Sequence, residues 1–121
     1  MIFTSYFRSP VLKSNPQLKR VAISIGVPPG WKGERCLELA PTRAMLKMAS
    51  AEYYRLYDDI LAKLDAREIG RRFDGCVLIC WEKNPAECHR SYVVKWLNNA
   101  GFEAQELTAG RQEVGQQTLN L

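Results

Sequence analysis

The run Cys76-Val77-Leu78-Ile79-Cys80-Trp81, set between Asp74-Gly75 and Glu82-Lys83-Asn84, constrains the fold of this chain more than any other stretch. It has the length of a strand, and apolar residues do not alternate with polar ones along it. An uninterrupted apolar strand needs cover on both faces, which is the situation of an interior strand in a parallel sheet with helices on either side. The rest of the sequence fits that frame. Ile2-Phe3-Thr4-Ser5-Tyr6-Phe7 is β-branched and aromatic and reads as a first strand with a polar exit at Arg8-Ser9-Pro10. A second strand spans about Arg20 to Ile25 and stops at Gly26. From Ser50 onward Tyr53, Tyr57, Ile60, Leu61 and Leu64 recur at helical spacing, with Glu52, Arg55, Asp58, Asp59 and Lys63 largely outside the stripe. A shorter helix is predicted over Ala66 to Phe73. Another carries Val93, Trp96, Leu97 and Ala100 and ends at Gly101, the residue suited to a C-terminal cap, before a last strand over Phe102 to Leu107.

Strands separated by helices predict an α/β fold: a single Rossmann-like domain with a mostly parallel sheet flanked by helices. It is expected to occupy residues 1–109, followed by a loosely attached tail over 110–121 that shows no periodicity. A chain of 121 residues has room for one such core and not for two catalytic domains. The connection from Gly26 to Pro41, with Pro28, Pro29, Gly30, Trp31 and Gly33, is longer than most in a small domain, and loops of that length usually carry function or move. No apolar run approaches the roughly 20 residues that cross a bilayer, and the N-terminus lacks the order of a signal peptide. A cytoplasmic protein without membrane association is expected, with its four cysteines as reduced thiols. The net charge of +4 suits an anionic partner, nucleic acid or a phosphate-bearing small molecule, but many ordinary proteins carry as much.

Ligands of open parallel sheets bind at the carboxyl ends of the strands. The crossing from Cys80 to Arg90 is such a place, and it holds two cysteines, the only histidine, two glutamates and an arginine. Within it Asn84-Pro85-Ala86-Glu87 supplies an N-cap residue, a proline for the first helical position and a capping glutamate. A helix starting there, turning about 100° per residue, faces His89 toward the sheet with Val93, Trp96 and Ala100. Arg90 falls at the edge of that sector, and Cys88 on the far side with Lys95 and Asn99.

Three chemistries compete for these residues. A zinc site is disfavoured because seven residues separate Cys80 from Cys88 and the adjacent Cys88 and His89 diverge, so no metal is expected. A cysteine-phosphatase cradle is disfavoured because Arg90 follows Cys80 too late and Glu82 and Glu87 repel phosphate. The preferred arrangement has Glu82 as acid or base, His89 as proton carrier or hydrogen-bond donor and Arg90 as anion clamp, with Tyr6 and Arg8 reaching the substrate from the end of the first strand. Trp31 and Lys32 lie in a segment expected at the same edge. Against this stands a structural reading at comparable weight: a histidine on an apolar helix face commonly bonds a backbone carbonyl, and a first-turn arginine commonly sits at the surface. Cys76 and Cys80, in a strand, read as small hydrophobes, and Cys36 carries no signal.

The run "LICWEKNPAECHRSYVVKWL" resembles the signature of the domain of unknown function 488 family, in which an apolar strand ends in Cys-aromatic-Glu and Cys-His-Arg opens the next helix. "FTSYF", "VAISIGVPPGW" and "LAP" resemble earlier segments of the same family, so the likeness covers most of residues 1–107. The family pattern falls on Cys80, Glu82, Cys88, His89 and Arg90. Where the second strand of many relatives ends in an Asp-Val-Arg-like string, this chain reads Ser24-Ile25-Gly26. The resemblance implies a compact Rossmann-like domain and leaves the chemistry open. The expected function is an enzyme of nucleotide or nucleic-acid metabolism with an anion-binding site at the carboxyl edge and no cofactor. The alternatives are a non-catalytic nucleic-acid or effector-binding module and a purely structural motif.

Overall fold

The computed structural model describes residues 1–84 and 87–109. Strands β1 (Ile2–Tyr6), β2 (Lys19–Ala22), β3 (Glu34–Arg35), β4 (Cys76–Cys80) and β5 (Ala104–Glu106) form one sheet in the order β3-β2-β4-β1-β5. Every pairing is parallel. The helices are α1 (Pro10–Lys13), α2 (Ser50–Ala62), α3 (Ala66–Arg72) and α4 (Arg90–Asn99), and two short 3-10 turns lie at Leu37–Leu39 and Ala44–Lys47. The chain is thus an α/β, Rossmann-like domain.

The strand that most constrained the sequence reading is the central one. β4 pairs with β2 on one side and β1 on the other, and none of its five residues is more than 5% exposed. Its side chains divide between two cores because successive residues of a strand point to opposite faces. Cys76, Leu78 and Cys80 pack with Tyr57 and Leu61 of α2, Ile69 of α3 and Val93 and Leu97 of α4. Val77 and Ile79 pack with Leu12 of α1, Leu107, and the half-buried Phe3, Phe7 and Trp31. Continuous apolarity is therefore the mark of a strand with a core on each side.

Local signals set the ends of the helices. Asp65 caps α3, its Oδ1 accepting from the backbone N–H groups of Arg67 and Glu68 at 3.0 and 3.3 Å. Gly101, at φ 96°, closes α4, and the N–H of Phe102 reaches back to the Leu97 carbonyl at 3.1 Å. Glycine is also required at position 70 on α3, where a Cβ would overlap the ring of Phe102.

The structure departs from the sequence expectation in four places. α1 forms where only a polar exit from β1 was expected, with Pro10 at its first position. The ladder of β2 ends at Ala22 rather than Ile25, although the Ile23 N–H still bonds the Ile79 carbonyl at 2.9 Å. The long connection after Gly26 contains the edge strand β3, only two charged residues long and so without an apolar pattern to betray it. α4 starts at Arg90, with His89 flanking it, not directly after Asn84. The proline at the expected helix start and the tail over 110–121 lie outside the described residues. Among the described residues no helix is long and apolar enough to cross a membrane.

Candidate active site

Parallel pairing brings the carboxyl ends of β1, β2 and β4 to one edge, with Tyr6 opposite Cys80 and Ala22 opposite Ile79. A cleft of about 430 Å³ opens there. Its walls are Ser24, Ile25 and Gly26 after β2, Pro41, Arg43 and Leu46 from the following connection, and Tyr53 of α2. The crossover from β4 to α4 contributes Cys80, Trp81, Glu82, Glu87, Cys88 and His89. Glu82 and His89 thus meet where the sequence reading put them, and Cys80 and Cys88 join them.

His89 is 4% exposed, and its Nε2 lies 2.7 Å from the Ile23 carbonyl oxygen. A carbonyl only accepts, so Nε2 carries the hydrogen and the lone pair sits on Nδ1. Nδ1 faces the Cys88 sulfur at 3.5 Å and the Tyr53 hydroxyl at 3.4 Å. Burial, aided by the neighbouring Arg90 charge and opposed by the bond to Ile23, brings the His89 pKa down to about 4. Neutral imidazole is the form present near pH 7, with Nε2–H donating to Ile23 and the Nδ1 lone pair presented as an acceptor. Burial, with smaller contributions from Tyr54 and Glu82, pushes the Tyr53 phenol up to about 12, so Tyr53 remains a hydrogen-bond donor.

Arg90 corrects the sequence reading most sharply. Its side chain is fully buried, and all five N–H groups are taken. Nε and Nη2 grip the two carboxylate oxygens of Glu106 on β5, each at 2.9 Å. Nη1 donates to the Glu82 carbonyl and, at 3.1 Å, to the Cys80 sulfur. Nη2 also donates to the Lys83 carbonyl at 3.0 Å. No donor is left for a ligand, and Arg90 does not border the cleft; it fastens the crossover to β5. The free anion clamp becomes a scaffold residue because the helix start turns the guanidinium inward, under the backbone of residues 82–83.

Tyr6 and Arg8 do not line the cleft either. The cleft lies between the ends of β2 and β4, whereas Tyr6 ends β1 on the other side of β4, its ring 6.0 Å from the Arg90 guanidinium carbon. Arg8 follows it and is exposed. Two residues that the sequence did not single out take their place. Arg43, just past the long connection, brings a cation to the cleft wall, and Tyr53 brings the polar tip of an otherwise apolar stripe. The length of the loop was the only pointer to Arg43. An aromatic hydroxyl in a helical stripe was the pointer to Tyr53.

The cysteines also differ from expectation. The sulfurs of Cys80 and Cys88 are joined, while Cys36 and Cys76 are free and buried. Cys88 is 4% exposed and turned inward, not outward with Lys95 and Asn99. It precedes the first residue of α4, so the helical phase that governs Lys95 does not extend to it. Trp81, by contrast, remains 46% exposed beside them. Its indole N–H donates to the Gly26 carbonyl at 3.0 Å and its ring leans on Phe7 at 4.6 Å, so an aromatic face is held at the rim. Comparison of the chain with protein-family models, with curated proteins and with solved structures finds no match.

Proposed function

We propose that the protein is an enzyme of nucleotide or nucleic-acid metabolism whose substrate occupies the cleft between the ends of β2 and β4. The observation that carries this reading is the joint presence, around one cleft at the carboxyl edge, of the exposed Trp81 indole, the Arg43 guanidinium and the Glu82 carboxylate. An aromatic face accepts a base by stacking, worth about 1–3 kcal/mol, and a guanidinium accepts phosphate. Glu82 and Glu87 repel phosphate from their own side of the cleft, so the anionic end of the substrate belongs beside Arg43. Glu82, exposed and reachable, is the acid or base, while Tyr53 and the neutral His89 orient polar groups of the substrate. The likeness of residues 78–97 to the domain of unknown function 488 signature belongs to the same reading.

Nucleoside mono- and diphosphates, followed by Trp81 fluorescence and calorimetry, test it. Arg43→Ala and Trp81→Ala are each expected to weaken binding at least about tenfold, or ~1.4 kcal/mol. Glu82→Gln is expected to keep the affinity and lose turnover. A second reading, a binding module without turnover, is favoured by the commitment of His89 Nε2 and of every Arg90 donor to the scaffold. Glu82→Gln with unchanged behaviour in every assay supports that reading. Absence of binding by any of these ligands at millimolar concentration removes both.

A further inference from the structure

We propose that Cys80, Cys88 and His89, once the two sulfurs are reduced, form a binding site for a borderline-soft divalent cation of the zinc class. The site goes beyond the functional reading above and shares His89 and the cleft with it, but its test reads metal binding alone and does not depend on that reading. The two sulfurs and one ring nitrogen of His89 all lie within 4.8 Å of one another, and all three residues are buried. Zinc held tetrahedrally, with Zn–S near 2.3 Å and Zn–N near 2.0–2.1 Å, spaces such ligands roughly 3.3–3.8 Å apart. The Cys88 sulfur is 3.5 Å from Nδ1. The objection that adjacent Cys88 and His89 diverge therefore does not hold in the folded chain.

The surroundings of these atoms are those of a ligand set. The Nε2–H bond to the Ile23 carbonyl, the usual outer partner of a metal-binding imidazole, fixes the tautomer whose Nδ1 lone pair faces the Cys88 sulfur and the Tyr53 hydroxyl, and an ion would take the place of the Tyr53 hydrogen on that lone pair. The buried Arg90 N–H is directed at the Cys80 sulfur at 3.1 Å, so a cation-facing sulfur there keeps an ordered hydrogen-bond donor behind it. Charge closes as well: two thiolates cancel a divalent cation, and the Arg90 charge beside them is already matched by Glu106. A buried site requires such a balance.

The Cα atoms of Cys80 and Cys88 are 7.5 Å apart, beyond the roughly 4.4–6.8 Å usual for disulfides. An ion between the two sulfurs suits that span better than a direct bond. Reduction comes first: a thiol reductant supplies two electrons and two protons, and the disulfide becomes two thiols. The cation then displaces both thiol protons to solvent. Three protein ligands leave a fourth coordination position unfilled, the arrangement of a catalytic rather than a structural ion, and the cleft that they line also holds Glu82 and Glu87.

The test uses the full chain, reduced with dithiothreitol, stripped of metal and titrated with Co²⁺ and then Zn²⁺. One equivalent of cobalt is expected to give a thiolate-to-metal charge-transfer band and the visible bands of tetrahedral coordination. One equivalent of zinc should abolish them, and two protons should be released per metal bound. X-ray absorption of the unmutated zinc protein should count two sulfur and one histidine nitrogen neighbours, so that the result does not depend on a variant folding. Cys80→Ser and Cys88→Ser should each weaken zinc at least about 100-fold, and Cys36→Ala should leave it unchanged. The proposal is overturned if the cobalt bands are absent with all four thiols titratable, if Cys80 and Cys88 stay joined under excess dithiothreitol, or if the metal shell lacks the two sulfurs.

Discussion

Arg90 is held as a structural element, and its removal should be felt in stability before it is felt in binding. Arg90→Met replaces a fully buried guanidinium that makes two bonds to Glu106, two to backbone carbonyls and one to a sulfur. The substitution keeps most of the side-chain volume, so the loss is polar. Glu106 is 23% exposed and recovers part of its solvation, but the Glu82 and Lys83 carbonyls lose a donor, at about 1–3 kcal/mol for each that stays dry. Breaking a buried pair from one side costs about 3–5 kcal/mol in general, and that range applies here. Glu106→Ala should fall in the same range for a different reason, since it leaves the buried cation without its counter-charge. A domain of this size has about 5–15 kcal/mol in total, so a fall of at least about 12 °C in Tm is expected. Urea titration followed by circular dichroism, on both single variants and the double variant, measures the coupling. It should exceed about 2 kcal/mol, because the second removal meets a partner already absent. An Arg90→Met protein within about 1 kcal/mol of the parent would refute the reasoning and return Arg90 to the list of ligand-binding groups.

Two further outcomes follow from the packing. Leu78→Ala empties the middle of the central strand, where the side chain is fully buried against the α2–α4 core, and should cost about 2–5 kcal/mol in denaturant unfolding; a smaller loss would mean that the helices close over the gap. Gly70→Ala adds a methyl group where the Phe102 ring already sits. It should destabilise by about 1–3 kcal/mol despite alanine's better helix propensity, and stabilisation instead would show that the ring moves aside at no cost.

The central strand was legible because burial on both faces removes polar residues from every position. The helices were legible because α2 and α4 bury only one face, which leaves a period. The partly hidden features are those whose structure is set by neighbours distant in sequence. β3 pairs as a two-residue edge and carries only charge. Arg90 read as an anion clamp or a first-turn surface cation, yet it is buried and paired with Glu106, which lies 16 residues later on β5. Cys88 fell outside the helix whose phase was used to orient it. Tyr6 was expected at the site because parallel strands share an edge, but the cleft forms on the β2 side of β4 and not on the β1 side. Sequence spacing identified the correct crossover. It did not assign which of its side chains face solvent, since that depends on the strand order of the sheet.

The cleft between β2 and β4 as the substrate site is tested most directly by backbone and indole amide NMR during titration with a nucleoside monophosphate. The three tryptophans give separate indole signals: Trp81 at the rim of the cleft, Trp31 bonded toward the Glu34 carbonyl and Trp96 half-buried on α4. Saturable shifts are predicted for the Trp81 indole and for the amides of Gly26, Arg43 and Glu82, with Trp96 unmoved. Shifts gathered instead around Tyr6 and Arg8 at the end of β1, or no shift at millimolar ligand, would contradict the account.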